Sequence, residues 1–369
     1  MGEKSGDLHT SHVMEQLKKT MPETQHAGIG GPLMQSQGLK ALFPFEKFLI
    51  MGFAEVLKHI PFIMKVESSI KQYLAKNKPD LVVLVDYPGL NLRVAEMASK
   101  MGFKVFYFIC PQFWAWKHYR VLKLQKYCHH VACILPFEKE MLDKYNINST
   151  YVGHPVTEEI EYKLDKKEFA EKFNLDINKK WIAFFPGSRA NEVQSLLPIY
   201  IETIKRLKKL KPDYEFLISK ANSVSDKLFA SKAFTEAEFT VIEGYSYEMM
   251  KYSDFLTVKS GTSTIEVASI VTPFAIVYKA NYLSYKLAKK IIKVKFIGLP
   301  NIIFDKPIIP ELIQKDVNPD KIIETILFFM DNEKEYSQMS EDFKDLHNIL
   351  GHESASKQVS GLINKILME

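Results

Sequence analysis

Residues 181–192 read WIAFFPGSRANE, and this pattern predicts the fold class of the chain. The first five of these residues form an apolar run that is too short for a helix and predicts a buried strand. Pro186 and Gly187 end the run, and a helical pattern of apolar residues follows Glu192. A strand that ends in a glycine turn and opens a helix presents free backbone N–H groups, which bind phosphate. The pattern therefore predicts an α/β domain with an anion site at this turn.

Arg189 strengthens the prediction of an anion site. The chain has 49 Lys and Arg residues, and only four of them are arginines. An arginine directly after Gly187-Ser188 therefore indicates that a planar, bidentate group is needed here rather than charge alone. The alternative is an ordinary turn with a surface arginine, and this stretch by itself leaves it open.

Length and composition exclude several classes of protein. A chain of 369 residues with 46% hydrophobic and 25% charged residues is long enough for two globular domains. The net charge of +5 suits an anionic ligand or a membrane surface but is too small to indicate nucleic-acid binding. No apolar run approaches the roughly 20 residues that span a bilayer, and the first residues lack a signal-peptide pattern. The three cysteines predict no disulfide framework, which fits a reducing cytoplasm.

A second buried strand is predicted at Leu81–Val85, and it ends at Asp86. Enzymes with parallel sheets place their chemistry at the carboxyl ends of strands, so Asp86 is a candidate general base once it is desolvated. Capping of the following helix is the alternative role for this side chain, and the pattern leaves both roles open.

Two further stretches of the first half contain aromatic or metal-binding residue types. Gln112 and Trp114 lie in PQFWAW (111–116), which predicts either a wall that faces a sugar or acyl chain, or packing between loops. The segment Cys128–Cys133 contains two cysteines and two histidines. Their spacing does not fit a zinc site, and a strand would point the side chains to opposite faces. We therefore expect no metal and no cofactor.

The segment 48–64, FLIMGFAEVLKHIPFIM, is more apolar than one buried helix face requires. A core helix is one interpretation, and our preferred hypothesis is a partly exposed apolar face that enters a membrane interface. The side chains expected to contact the membrane are Phe53, Val56, Leu57, Ile60 and Met64. A basic amphipathic segment at 283–295 is typical of either a solvated face or a contact with anionic lipid.

In the second half, a strand predicted at Phe255–Val258 leads into SGTSTIE, residues 260–266. The small hydroxyl residues and the glycine can hold a diphosphate, and Glu266 can accept hydrogen bonds from ribose hydroxyls. A Ser/Thr helix cap with Glu266 in a capping box is the alternative. Two such turns in one domain favour a nucleotide site over two unrelated caps.

Ten motifs, in order along nearly the whole chain, resemble those of lipid-A-disaccharide synthases. They are GEKSGD (2–7), GIGGP (28–32), MGFAEVL (51–57), DYPGLN (86–91), PQFWAW (111–116), LPFE (135–138), VGHP (152–155), PGSR (186–189), SGTSTIE (260–266) and LPN (299–301). The resemblance implies the GT-B architecture, in which two Rossmann-like, doubly wound α/β domains face each other across a cleft. It implies an N-terminal domain at 1–160 on the acceptor and membrane side, a UDP-sugar donor domain at 161–342, and a C-terminal helix at 343–369 that packs back toward the first domain.

The resemblance also implies a reaction. The family joins UDP-2,3-diacylglucosamine to 2,3-diacylglucosamine 1-phosphate, inverts the anomeric carbon and releases UDP, at the inner face of a Gram-negative inner membrane. Asp86 matches the family's essential acidic residue, the proposed base for the 6-hydroxyl of the acceptor. Arg189 matches its essential arginine, which would neutralise charge on the departing diphosphate. We expect no metal to be needed where helix N-termini and Arg189 supply positive charge.

Further site residues follow from the same resemblance. The residues expected to bind the UDP-sugar donor are Gly187, Ser188, Arg189, Glu192, Ser260, Gly261, Thr262, Thr264, Glu266 and Asn301. The residues expected on the acceptor side are Glu3, Ser5, Asp7, Asn91, Gln112 and Trp114.

The sequence departs from the family pattern in two places. Gly89 and Leu90 stand where many members have an acidic residue and a phenylalanine, which we expect to alter acceptor contacts. Met1 stands where the family's first apolar strand should end. Losing about four buried side chains at ~1.5–3 kcal/mol each approaches a typical total stability of ~5–15 kcal/mol. We therefore expect that the chain is N-terminally truncated, or that its first domain is weakened.

Two other functions stay open from the sequence. One is another UDP-sugar enzyme of the same fold, such as a UDP-N-acetylglucosamine epimerase, although the segment 48–64 and PQFWAW argue against a fully soluble substrate. The other is a non-catalytic, membrane-associated protein that binds a UDP-sugar or lipid, and the presence of both Asp86 and Arg189 argues against it.

Overall fold

A computed structural model describes residues 4–49, 60–230, 238–281, 285–286, 289, 294–351 and 353–369. The predictions for Glu3, Phe53, Val56 and Leu57 lie outside these residues, as do the side chain of Ile60 and most of the basic segment 283–295. The chain forms two compact units. Unit 1 is Met1–Glu158 with Leu350–Glu369, and unit 2 is Glu159–Ile349.

The first part of unit 1 alternates short strands and helices. The strands are β1 (His26–Gly28), β2 (Leu39–Ala41), β3 (Val82–Val85), β4 (Val105–Phe108), β5 (His130–Cys133) and β6 (Ser149–Tyr151). The helices are α1 (Lys4–Thr20), α2 (Pro32–Ser36), α3 (Glu46–Leu49), α4 (Ile60–Asn77), α5 (Pro88–Lys100), α6 (Arg120–Tyr127) and α7 (Pro136–Asp143). Among the described residues, β3-β4-β5-β6 form one parallel sheet, and β1 and β2 form a separate parallel pair.

Unit 2 is built around one parallel sheet of six strands in the order β12-β11-β10-β7-β8-β9. The strands are β7 (Lys180–Phe185), β8 (Tyr214–Lys220), β9 (Thr240–Glu243), β10 (Phe255–Lys259), β11 (Phe274–Tyr278) and β12 (Glu311–Ile313). The helices are α8 (Lys166–Phe173), α9 (Ala190–Leu210), α10 (Ser246–Tyr252), α11 (Ser263–Ile270), α12 (Leu299–Phe304), α13 (Pro319–Met330) and α14 (Glu333–Leu350). This strand order is that of a doubly wound Rossmann fold.

The central strands of unit 2 are buried because helices cover both faces of the sheet. Trp181, Ile182, Ala183 and Phe184 of β7 have no exposed surface. A parallel strand covered on both faces reads as a continuous apolar run rather than an alternating one. The prediction of a buried strand in the stretch 181–185 is therefore confirmed.

The last helix, α15 (Ala355–Met368), returns to unit 1. Its Val359 and Ile363 share a core cluster with Val13 and Leu17 of α1. The boundary between the units falls at 349/350, several residues after the expected boundary at 342/343, which lies inside α14. None of the described helices is both long enough and apolar enough to cross a membrane.

Candidate functional site

The two predicted phosphate-binding turns lie side by side in unit 2. β7 and β10 are neighbouring strands, and Phe185 pairs with Val258 at their carboxyl ends. PGSR follows the first strand and SGTSTIE follows the second. The strand order reverses between β7 and β10, and this is where parallel open sheets bind their ligands. The strand order thus brings together two turns that are separated along the chain by β8 and β9.

The PGSR turn has a shape that only glycine allows. Gly187 has a φ of +102°, and an added Cβ would collide with Oε2 of Glu192. The same oxygen accepts a hydrogen bond from the backbone N–H of Arg189 at 3.4 Å, at the start of α9. Glu192 therefore closes the turn from the helix side.

Arg189 keeps most of its side chain in solvent. The side chain is 68% exposed, and Nη1 lies 3.8 Å from Oε1 of Glu192. The backbone of the preceding residue is fixed, because the Ser223 hydroxyl donates a hydrogen bond to the Ser188 carbonyl at 2.9 Å. The turn therefore presents an accessible guanidinium on a fixed backbone.

Two hydroxyls of the SGTSTIE turn bond to the protein itself. The Ser260 hydroxyl donates to the Ile297 carbonyl at 3.0 Å, and the buried Thr264 hydroxyl donates to the Gly261 carbonyl at 2.8 Å. Gly261 and Thr262 are exposed at the start of α11, and Thr262 makes no side-chain cap. Of these four predicted donor residues, Gly261 and Thr262 offer the open surface, and Ser260 and Thr264 shape the turn.

A cavity of about 410 Å³ lies in unit 2 and includes one predicted ligand-binding residue, Glu266. Its other walls come from the ends of β8 and β9, the start of α10 and the segment 159–163. The lining residues are Glu159, Glu161, Lys163, Lys220, Ala221, Asn222, Gly244, Ser246, Tyr247, Glu248 and Glu266. Lys220 was not predicted. It pairs with Asp226 at 2.6 Å and Glu243 at 2.7 Å.

Asn301 is fully buried and bonds to protein groups on both sides of its amide. Its Nδ2 donates to the Ile309 carbonyl at 2.8 Å and to Oε1 of Glu311 at 2.9 Å, and its Oδ1 accepts from the Ile309 N–H at 2.9 Å. These bonds hold the segment before β12. A direct contact of Asn301 with a donor stays a prediction.

In unit 1, Asp86 follows β3 in an unusual backbone conformation. Asp86 and Tyr87 have φ values of +44° and +45°, a region that costs non-glycine residues about 1–3 kcal/mol each and is concentrated at functional sites. Two side chains hold this turn: Asn91 Nδ2 and the Tyr107 hydroxyl each donate to the Asp86 carbonyl at 2.7 Å. Tyr87, not Asp86, is the residue before α5.

Asn91 and Tyr107 therefore position Asp86. Asn91 is 4% exposed and also donates to the Val85 carbonyl at 2.9 Å, so its amide faces the backbone of the turn. Tyr107 was not predicted, although it is the polar residue of the otherwise apolar strand VFYF. Burial, followed by the nearby Asp86 carboxylate, raises the pKa of Tyr107 well above its usual value and keeps the hydroxyl protonated as a donor.

Asp7 lies in the first turn of α1, because this helix begins at Lys4 within the GEKSGD motif. Its buried carboxylate accepts N–H groups of Gly31, Leu33 and Met34 at 2.8, 3.1 and 3.2 Å. An added Cβ at Gly31 would collide with this carboxylate. The GEKSGD and GIGGP motifs thus contact each other through Asp7. Ser5 lies half-buried in the same turn of α1.

The PQFWAW segment packs against the LPFE motif. Trp114 Nε1 donates to Oε1 of the buried Glu138 at 3.0 Å, and the Trp114 ring meets Phe137 edge-on at 5.0 Å between centroids. Gln112 is exposed. Trp114 therefore packs between loops, which is one of the two roles that the sequence left open. A contact of Gln112 or Trp114 with an acceptor stays a prediction.

The pH dependence of stability tests the burial of Glu138. Burial raises the pKa of Glu138 from 4.5 to about 7, against the opposing hydrogen bond from Trp114. The folded state then keeps a proton that the unfolded chain releases. The contribution of Glu138 to the free energy of unfolding therefore falls by about 3 kcal/mol as the pH rises from about 4.5 to about 7. In urea unfolding, we therefore expect the free energy of unfolding of the wild type, relative to that of Glu138→Gln, to fall as the pH rises from about 5 to about 7.

One control variant makes the Glu138 measurement specific. Glu140→Gln, which changes an exposed carboxyl on the same helix, should leave the pH dependence of the unfolding free energy unchanged. Burial lowers the pKa of His154 to about 3, which acts in the opposite direction but is common to all three proteins. A wild-type slope in Glu138→Gln would contradict the buried, proton-retaining carboxyl.

The cysteines and histidines of the segment 128–133 lie around β5. Cys133 is buried, and His130 Nε2 is 3.0 Å from the Thr150 hydroxyl. Within the described residues, no group of three or more His, Cys, Asp or Glu side chains is arranged to hold a metal.

The chain is similar to known proteins over its whole length. A family model described as lipid-A-disaccharide synthetase matches residues 1–363. A lipid-A-disaccharide synthase of Coxiella burnetii is 33% identical over 367 residues, covering 99% of this chain and 97% of that protein. One of Trichlorobacter lovleyi is 34% identical over 363 residues, covering 98% and 95%.

A solved structure shares the fold. The crystal structure of UDP-GlcNAc 2-epimerase from Neisseria meningitidis bound to UDP-GlcNAc matches with a TM-score of 0.65, covering 100% of this chain and 98% of that chain. At 16% identity this likeness shows the fold alone.

Proposed function

Because this chain belongs to the lipid-A-disaccharide synthase family and is a glycosyltransferase of lipid A biosynthesis, we propose that it joins UDP-2,3-diacylglucosamine to 2,3-diacylglucosamine 1-phosphate and releases UDP. The observation that carries the proposal is the pairing of the PGSR and SGTSTIE turns at the switch point of the unit 2 sheet. Exposed backbone at two helix starts, with an accessible Arg189, suits a sugar-nucleotide diphosphate.

The proposed chemistry is a direct displacement that inverts the anomeric carbon. Asp86 removes the proton of the acceptor 6-hydroxyl, and the oxygen forms a bond to the anomeric carbon as the bond to the UDP oxygen breaks. The electron pair of the broken bond stays on UDP, and Arg189 neutralises the charge that develops there. The strained turn at Asp86, held by Asn91 and Tyr107, supports a fixed position for the base.

The cavity of unit 2 is the proposed place for the nucleoside. Glu266 lies on its wall, where a carboxylate can accept hydrogen bonds from ribose hydroxyls. The volume of about 410 Å³ is within the range of small-molecule sites.

A transfer assay tests this proposal. Purified protein in detergent micelles receives UDP-2,3-diacylglucosamine and 2,3-diacylglucosamine 1-phosphate, and release of UDP is followed together with formation of the lipid disaccharide. We expect UDP release only when both substrates are present. Omission of the acceptor is one control. Replacement of the donor by UDP-N-acetylglucosamine, which has an acetyl group at position 2 and a free hydroxyl at position 3, is the other. No disaccharide from a protein that shows a cooperative melt would refute the reaction.

We also propose that the protein contacts the inner face of the inner membrane through the segment 48–64. Met64 on α4 is 59% exposed, and Lys65 beside it is exposed, whereas Val66 is buried. An apolar group next to a cation on an exposed helix face suits an anionic membrane interface.

Vesicle binding tests the membrane contact. Replacing Val56, Leu57 and Ile60 with serine should release the protein from vesicles of anionic phospholipid in a flotation assay, because less apolar surface enters the interface. The matched control replaces Ile177, Leu210 and Phe328 with serine, since these apolar side chains of unit 2 are 43%, 58% and 50% exposed. Equal flotation of both triple variants would refute the proposed contact surface.

A further inference from the structure

Lys259, the last residue of β10, has its ammonium group held in a defined place at the switch point. Its Nζ lies 2.8 Å from Oε1 of Glu192, and the two side chains are only 20% and 15% exposed. Nζ also lies 6.0 Å from the ring centroid of Tyr278, which ends β11, within the range of cation–π attraction. The ammonium therefore lies between the first turn of α9 and the carboxyl end of β11.

Glu192 links this lysine to Arg189. Its Oε1 is 3.8 Å from Nη1 of Arg189, and its Oε2 accepts the Arg189 backbone N–H at 3.4 Å. One carboxylate thus contacts two cations, one in the turn after β7 and one at the end of β10, and it also closes the start of α9. The helix N-terminus favours a negative charge at this position.

The charges of this cluster explain why a carboxylate stands at a turn that suits an anion. A carboxylate alone would repel a diphosphate, but Arg189, Lys259 and Glu192 together carry a net positive charge. Two uncompensated cations at adjacent strand ends would repel each other, and the partly buried ammonium would lose hydration without a partner. A diphosphate can take the place of Glu192 as the partner of both cations.

We propose that Lys259 is a second diphosphate-binding cation and that Glu192 is a positioning residue that holds Lys259 and Arg189 at adjacent strand ends. The inference rests on the proposed donor site and assigns it a residue that the sequence did not. On binding, the Lys259 ammonium exchanges the Glu192 carboxylate for a phosphate oxygen of the UDP-sugar.

Calorimetric titration with UDP tests the role of Lys259 without requiring turnover. We expect Lys259→Met to lower UDP affinity about tenfold to hundredfold, the effect of a charge-assisted hydrogen bond, and Lys259→Arg to keep most of it. Lys180→Met is the matched control, because Lys180 pairs with Asp254 at the same distance of 2.8 Å, at the opposite ends of β7 and β10. It should bind UDP as the wild type does.

A double-mutant cycle tests the role of Glu192. The amide oxygen of Glu192→Gln can still accept the Arg189 N–H, but the charge that holds Lys259 is lost. If Glu192 acts through Lys259, adding Glu192→Gln to Lys259→Met should lower UDP affinity less than Glu192→Gln does alone. A role confined to helix capping would instead give additive losses.

The outcomes separate this inference from the proposed reaction. The inference would be overturned if Lys259→Met bound UDP as tightly as the wild type while urea titration showed that both proteins are folded. If Lys259→Met does not fold, Lys259→Arg decides, because a folded arginine variant with lost UDP affinity would contradict a simple cation role. A wild type that binds UDP more tightly than Lys259→Met but forms no disaccharide would refute the reaction and leave this inference standing.

Discussion

Replacing Asp86 with asparagine should lower kcat for disaccharide formation by about 10²–10⁴-fold while UDP affinity stays at the wild-type level. The loss has the size expected for removal of a general base. Asparagine suits the position sterically, because it tolerates positive φ better than most residues and Asp86 has a φ of +44°. The bonds from Asn91 and Tyr107 reach the carbonyl of residue 86 and not its side chain, so the turn should persist.

Asp80→Asn is the control for this prediction. Asp80 is an exposed carboxylate near the amino end of β3, the strand that Asp86 follows at its carboxyl end. The control should keep wild-type kcat, because it changes a similar charge away from the carboxyl edge of the sheet. Steady-state kinetics and UDP titration on both variants make the comparison. Asp86→Asn with full activity would remove Asp86 from the mechanism, and a loss of UDP affinity in the same variant would point to misfolding.

Replacing Arg189 with alanine should lower kcat about 10²–10³-fold, because a preorganised group that meets developing charge is removed. Arg189→Lys should fall between alanine and wild type, because an ammonium keeps the charge but lacks the planar fork. The melting temperature should stay nearly constant. The guanidinium is 68% exposed and its ion pair is long at 3.8 Å, so it contributes little to stability.

Arg206→Ala supplies the matched comparison. Arg206 lies on the same helix, α9, and forms an exposed ion pair with Asp320. We expect it to change neither kcat nor the KM for the UDP-sugar. If both arginine variants lose activity equally, the effect of Arg189→Ala reflects a general change in charge, and its assignment to the leaving diphosphate is wrong.

The buried strands of both units were predictable because their apolar runs are local signals. VFYF, WIAFF and FLTV are buried along their length in the structure, because a strand that is covered on both faces reads as a continuous apolar run. LVVLV also forms a strand, but its Val83 is 40% exposed. The turn at Gly187 and the end of β3 at Asp86 were also predictable, because glycine and a polar residue after such a run mark the carboxyl end of a strand.

The roles of several side chains were not predictable, because they depend on contacts between distant segments. Asp7 reads as a loop residue near the start of the chain, yet its carboxylate holds Gly31 in a neighbouring helix turn. Tyr107 reads as a core aromatic residue, yet its hydroxyl donates to the carbonyl of Asp86, which follows the adjacent strand β3. Neither contact can be predicted from the residues that flank Asp7 or Tyr107 in the sequence.

Local sequence patterns were enough to predict the strands at 181–185 and 255–258, the family and the two turns suited to phosphate. Only the folded arrangement places β10 beside β7 rather than beside β9, so that the two turns lie next to each other. It also decided that Lys259 and Glu192 form an ion pair. The physical reason is range: apolar runs and glycine turns act within a few residues, whereas strand order and side-chain pairing follow from burying the whole sheet between its helices.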